Sequence, residues 1–117
     1  PMSVAELRDR FVRFVGEEGW TVEVFTWENQ VVGFITYRYE PDPIAPAGQC
    51  VHLRQFYIAR THRRQGIGAA AIALFKRSRL RRGDRVVLEV LETNPGGKRF
   101  WQHAGFVPYA AVMECTA

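Results

Sequence analysis

Between Ile67 and Ser78 the residues Ile67, Ala71, Leu74, Phe75 and Ser78 return at intervals of one helical turn, so the spacing predicts a helix with one buried face. Arg79, Arg81 and Arg82 near its C-terminal end suit the helix dipole, and Gly83 is its stop. A second helix is predicted at the start of the chain. Ser3-Val4-Ala5-Glu6 has capping-box spacing, Leu7, Phe11, Phe14 and Val15 continue an apolar face, and Gly16 and Gly19 mark the end. Thr21 to Trp27 and Val31 to Tyr39 are rich in β-branched and aromatic residues around polar Glu28-Asn29-Gln30, the pattern of a β-hairpin. Pro41 to Gly48 reads as a loop, because its three prolines lack backbone donors.

Cys50 to Ala59 reads as a strand, with Val51, Leu53, Gln55, Tyr57 and Ala59 on one face and His52, Arg54, Phe56 and Ile58 on the other. Polar and apolar residues are mixed on both faces. Arg85 to Leu91 is a β-branched strand, Asn94-Pro95 caps a short helix carrying Phe100 and Trp101, Gly105 closes it, and Phe106 to Cys115 reads as a last strand. The order implies an α+β fold: a mixed sheet of about five or six strands, with a central right-handed parallel strand–helix–strand crossover and flanking helices.

Composition narrows the class. With 117 residues, 47% hydrophobic and 24% charged, the chain reads as a single domain over residues 1–117 and not as a disordered or collagenous one. Its longest apolar run, Ala69 to Phe75, is far below the ~20 residues of a membrane span. Cys50 and Cys115 fit no metal spacing, so no metal site is expected and both are read as free thiols of a cytoplasmic protein. The net charge of +4 hides a polarity, because nine of the 16 cations lie between Arg60 and Arg85. That cluster suits an anionic ligand, or a solvated helix face.

The junction Arg63-Arg64-Gln65-Gly66-Ile67-Gly68 joins the strand to the long helix. Glycines allow close backbone approach, and the first N–H groups of a helix are unpaired and attract anions. Two adjacent arginines make a phosphate ligand the better reading. Gly66-Ile67-Gly68-Ala69-Ala70-Ala71 also fits the dinucleotide pattern G-x-G-x-x-A, with Glu89 or Glu92 at the required distance. Against that stand the residues Arg60 to Gln65 that intervene after the strand, and a P-loop is excluded because no Gly-Lys-Ser/Thr follows.

The stretch LRQFYIARTHRRQGIG from Leu53 to Gly68, then Asn94, then Phe100-Trp101-Gln102-His103-Ala104-Gly105-Phe106, resembles the GCN5-related N-acetyltransferase (GNAT) superfamily. The resemblance implies acetyl-coenzyme A as cosubstrate. Arg63-x-x-Gly66-x-Gly68 matches the pyrophosphate motif, so backbone N–H groups from Arg64 through Gln65, Gly66, Ile67 and Gly68 to Ala69 would hold the phosphates beside Arg63 and Arg64. Main-chain groups of Phe56, Tyr57 and Ile58 would pair with the pantetheine arm where the two parallel strands splay, and Asn94 and Phe100 would line the same cleft. The N–H of Tyr57 or Ile58 would polarise the thioester carbonyl.

The family's direct attack by an amine needs a base. His52 lies eleven residues before Arg63, where some members place a glutamate, and histidine titrates near neutrality. Trp101 stands where many members carry a tyrosine general acid, so Tyr57 or Tyr109 substitutes, or the thiolate leaves unaided. The family usually begins with a strand before its helices, whereas this chain begins at the predicted helix, an N-terminally short arrangement.

The first reading is therefore an N-acetyltransferase acting on a small-molecule or peptidyl amine, with Glu23, Glu28, Glu40 and Asp42 as sources of negative charge for a cationic acceptor. The alternatives are an acyl-coenzyme A-binding sensor without catalysis and, further off, the dinucleotide-binding domain. A nucleic-acid partner is not expected, because Lys76 to Arg82 carries no interleaved aromatics. A homodimer through an exposed edge such as Phe106 to Cys115 remains an expectation.

Overall fold

The computed structural model describes residues 7–15 as a backbone strand and residues 19–44, 48–63 and 66–117 in full. Five strands form one sheet in the order β1-β2-β3-β4-β5: Leu7–Val15, Thr21–Trp27, Gln30–Pro41, Gln49–Ile58 and Arg85–Val87. The first four are antiparallel neighbours, and β5 runs parallel to β4. Two α-helices, α1 (Ile67–Arg79) and α2 (Pro95–His103), and a 3-10 turn at Arg60–His62 complete the described elements. The fold is thus the expected α+β architecture with a mixed sheet, and β4–α1–β5 is its parallel crossover.

Two expected elements differ. Residues 7–15 are a strand paired with β2, not the body of a helix, while the cap residues Ser3 and Glu6 lie outside the described residues. Phe11, Val12, Phe14 and Val15 favour an extended backbone, and the free edge of β2 supplies the ladder that realises that preference. Phe106 to Cys115 is not a strand; the chain from Phe106 onward carries no regular structure and is largely exposed. The strand after α1 is also short, covering Arg85–Val87 of the expected Arg85 to Leu91.

The hairpin between β2 and β3 turns on Glu28 and Asn29, both with positive φ (51° and 62°), as a two-residue turn matched to strand twist requires. Gly33 of β3 is needed for a different reason. A Cβ there would lie 2.2 Å from the Tyr57 carbonyl oxygen of β4.

Helix α1 buries Ile67, Ala70, Ala71, Ile72, Leu74 and Phe75 against a core that includes Phe25, Ile35, Tyr37, Val51, Leu53 and Ile58. Phe75 meets the Tyr37 ring edge-on at 5.0 Å. Two ion pairs cross this core. Arg79, in the last turn of α1, holds the buried Glu23 of β2 with two bonds of 2.7 and 2.8 Å, and the Tyr37 hydroxyl also donates to Glu23. Arg85 at the start of β5 holds the buried Asp42, just past β3, at 2.7 and 3.2 Å. Each arginine offers the two-pronged geometry that a carboxylate accepts best.

These pairs remove Glu23 and Asp42 as acceptor-binding charges. Glu40 is engaged with Arg38 at 2.7 Å, and Glu28 is exposed at the hairpin turn. The Cys50 thiol is buried, and burial pushes its pKa up.

Truncating Arg79 to Met leaves the Glu23 carboxylate buried without its cation. We expect a loss of about 3–5 kcal/mol in urea denaturation, largely recovered when Glu23→Met is added. Unchanged stability of the single variant would refute the network's role. Burial first, and the bond to Glu23 second, hold the Tyr37 pKa well above its ordinary 10.0. Above that value tyrosine in the unfolded chain loses its proton while native Tyr37 keeps it, so the native state binds more protons and stability falls as pH rises. Denaturation midpoints from pH 8 to 11 should therefore decline more steeply in the native chain than in Tyr37→Phe.

Candidate active site

The ladder between β4 and β5 has three steps: Cys50↔Arg85, Val51↔Val86 and His52↔Val87. Beyond them the two chains part. The opening is a cleft of about 380 Å³ lined by Phe34, Leu53, Arg54, Gln55, Phe56, Tyr57, Leu88, Glu89 and Trp101, a volume in the range of small-molecule sites.

A β-bulge shapes the β4 wall. Thr36 pairs with Gln55 and Tyr37 with Leu53, so Arg54 is an extra residue without a partner on β3. A regular strand sends consecutive side chains to opposite faces, whereas Arg54 and Gln55 are both exposed and both line the cleft. The inward face changes over at this point. Val51 and Leu53 are buried before the bulge and Ile58 after it, with Phe56 packed against the same core. The strict alternation expected from sequence therefore holds only on either side of Arg54.

The bulge also sets where the backbone of β4 points. Ala59 donates its N–H to the Val32 carbonyl of β3 at 2.7 Å, and the Tyr57 carbonyl lies against Gly33. By the two-residue period Tyr57 shares that side, which leaves the main-chain groups of Phe56 and Ile58 for the opening. The Ile58 carbonyl is accordingly met from outside the ladder, by Arg63 Nε at 2.9 Å.

Below the cleft, rings from β4, α2 and the segment after α2 form a wedge. Phe56 stacks on Phe100 at 5.8 Å and meets Trp101 edge-on at 5.5 Å, and Trp101 continues to Phe106 at 5.1 Å. Phe100 also reaches the start of α1, where a Cβ on Gly68 would lie 3.0 Å from its ring. Gly66 serves backbone conformation, with φ of 77° at the N-cap of α1 and, among the described residues other than its chain neighbours, no atom within 4 Å of the place a Cβ would take. No acidic residue occupies the first turn and no side chain caps it. The first helical bond is Ala70 N–H to the Gly66 carbonyl, so the N–H groups of Ile67, Gly68 and Ala69 have no partner within the helix, and the dipole makes this end electropositive.

The remaining expected residues scatter. Arg63 lies beside Tyr57, 5.3 Å from its ring, while Arg64 and Gln65 lie outside the described residues. Asn94 caps α2 by accepting from the Gly97 N–H at 2.9 Å. His52 stands at the closed end of the splay, its Nε2 3.4 Å from Glu40 and 3.9 Å from the Cys50 sulfur. Tyr57 is 43% exposed at the open end, against Phe34. Tyr109 rests on Arg85, 5.1 Å away. Since Arg85 pairs with Cys50, roughly seven strand residues or about 23 Å separate Tyr109's contact from Tyr57. His52, Tyr57 and Tyr109 are thus not gathered at one point. Arg54, Gln55 and Glu89 are the polar cleft residues that sequence reasoning missed. The signal for Arg54 and Gln55 was the mixed polarity of both faces of the Cys50 strand, whereas Glu89 entered only through the dinucleotide pattern.

No curated protein matches the sequence. Among solved structures, the tetramutant of the BH1408 protein from Bacillus halodurans is 25% identical, with a TM-score of 0.65 over 88% of this chain and 69% of that one. An aminoglycoside acetyltransferase from an uncultured soil metagenomic sample, in complex with sisomicin, is 15% identical with a TM-score of 0.63 over 87% and 67%. An integron cassette protein from the mobile metagenome of V. cholerae is 18% identical with a TM-score of 0.64, over 87% and 65%. The chain thus spans about two thirds of these neighbours. The family model for the acetyltransferase (GNAT) family matches residues 3–106, which takes in the sheet, both helices and every wall of the cleft. The chain belongs to the acetyltransferase (GNAT) family.

Proposed function

We propose that the chain transfers an acetyl group from acetyl-coenzyme A to a primary amine of a small or peptidyl acceptor, by direct attack within the β4–β5 cleft. One observation carries the reading: a cleft opens where β5 parts from β4, and its wall residue Phe56 stacks on Phe100, which in turn packs against Gly68 at the start of α1. Acetyl-coenzyme A supplies an activated thioester carbonyl when bound. The residues suit such a ligand, because the space over Gly66 is open and α1 begins there with unpaired donors.

In this reading Gly66, Ile67, Gly68 and Ala69 hold the pyrophosphate through the backbone, and Arg64 and Gln65 belong to the same turn. Arg63, its Nε engaged by Ile58, offers its terminal amino groups. Phe56 and Ile58 present main-chain groups to the pantetheine arm, and their N–H groups are the oxyanion donors, in preference to that of Tyr57. Phe100 supports this wall through Phe56, and Asn94 fixes the start of α2. His52 and Glu89 are the candidate proton acceptors near the closed end. Trp101 lines the cleft and its indole is no acid, so water protonates the departing thiolate unless Tyr57 does.

A second reading, an acyl-coenzyme A-binding sensor, shares the same donor site and is favoured by Trp101. Both predict stabilisation by acetyl-coenzyme A. At ~100 times the dissociation constant the gain is about 2.7 kcal/mol, or roughly 10 °C in Tm. Gly66→Val, which puts a branched side chain at a positive φ in the open space, should abolish most of that ligand-induced shift. Acetylated amine detected by mass spectrometry selects the transferase, and binding without product selects the sensor. A shift with NADH or NADPH and none with coenzyme A ligands would overturn both.

A further inference from the structure

We infer that the acceptor is a small amine that also carries a carboxylate, an amino acid in the broad sense, held between Arg54 and Glu89. The inference rests on the acetyl-transfer reading and deepens it. Its starting point is the strand register. His52 faces Val87 at the last paired step, and Arg54 and Glu89, each two residues further along its own chain, line the widening cleft from opposite walls. Both side chains are exposed and both line the opening. Yet among the described residues neither forms an ion pair, with the other or with any third residue. Arg54 lines the cleft from the bulge itself, and the splay keeps the two charges apart.

Arg54 is also prepared for an anion. Its guanidinium lies over the Trp20 ring at 5.2 Å, and Arg38 lies over the same ring at 4.6 Å. Stacking fixes the plane of a guanidinium and consumes none of its N–H donors, so a carboxylate finds a preset two-pronged partner. Arg38 differs in that it binds Glu40. The acids that would have favoured a purely cationic acceptor are committed elsewhere, Glu23 to Arg79 and Asp42 to Arg85. A molecule bearing one ammonium and one carboxylate satisfies both walls, whereas a polyamine would set a second cation against Arg54.

The chemistry balances with these groups. Glu89 takes one proton from the bound ammonium; the freed lone pair attacks the carbonyl carbon and forms the N–C bond as the C–S bond breaks; the second proton on that nitrogen passes through water to the departing thiolate. Arg54 takes part only by orienting the carboxylate.

The test uses the twenty protein amino acids, their carboxamides and the matching decarboxylated amines. Calorimetry with coenzyme A already bound measures acceptor binding, and initial rates at saturating acetyl-coenzyme A measure transfer. At least one amino acid should bind, and its kcat/KM should exceed that of its carboxamide at least tenfold. Arg54→Gln should cut that ratio at least tenfold and Arg54→Lys should restore part of it, while Glu89→Gln lowers kcat about 100-fold with either substrate. The inference is overturned if no amino acid binds, if carboxamides or decarboxylated amines do as well as the free acids, or if Arg54→Gln leaves the ratio unchanged. A chain stabilised by acetyl-coenzyme A that acetylates only amines lacking a carboxylate refutes this inference alone. A chain that acetyl-coenzyme A does not stabilise refutes the donor reading beneath it.

Discussion

Everything that gives this chain a site follows from the length of one parallel ladder. Three paired steps join β4 to β5, and pairing then ends at His52 and Val87. Unpaired main-chain groups inside a sheet are ordinarily costly, since a buried N–H or C=O without a partner forfeits a hydrogen bond. Here the opening is walled by the exposed Arg54, Gln55, Tyr57 and Glu89, so solvent reaches it and its main-chain groups are open to a ligand that brings its own donors and acceptors. Had the ladder run the full length of β4, Phe56 and Ile58 would be satisfied internally and no cleft would exist. The wedge of Phe56, Phe100, Trp101 and Phe106 underlies the gap and packs against the core.

Two buried ion pairs fix the frame around that gap. Asp42 and Arg85 tie the end of β3 to the start of β5, which holds the closed end of the splay. Glu23 and Arg79 tie β2 to the last turn of α1, whose first turn stands at the open end. Such pairs gain little over well-packed apolar residues, but losing either partner strands a charge. They therefore specify register more than they add stability. Helix α1 cannot slide along the sheet without separating Arg79 from Glu23, and the position of Gly66 is set by a residue pair at the far end of the helix.

The parts that were legible in the sequence are those written in backbone requirements. Gly66 needs a positive φ, Gly68 must clear Phe100, and Asn94 caps a helix, so glycine and asparagine at fixed spacing announced the turn and both helices. The hairpin was equally plain. What escaped were features decided by pairing partners far away in the chain. Residues 7–15 carry a pattern compatible with either period, and the open edge of β2 decided for a strand. Phe106 to Cys115 has strand composition, but composition supplies no ladder. The bulge at Arg54 depends on the match of β4 to β3, which no local window contains.

This division has a functional logic. A donor held by backbone groups can be recognised from a short motif, because glycines and helix starts impose the same geometry on any sequence that contains them. An acceptor read by side chains leaves no such mark, since Arg54 and Glu89 are ordinary surface residues until β4 and β5 bring them to the walls of one opening. The bulge is what connects the two halves. By inserting one residue it turns the main chain of Phe56 and Ile58 toward the donor side and leaves Gln55 exposed beside Arg54 on the cleft wall, so a single irregularity in one strand shapes the wall that donor and acceptor share.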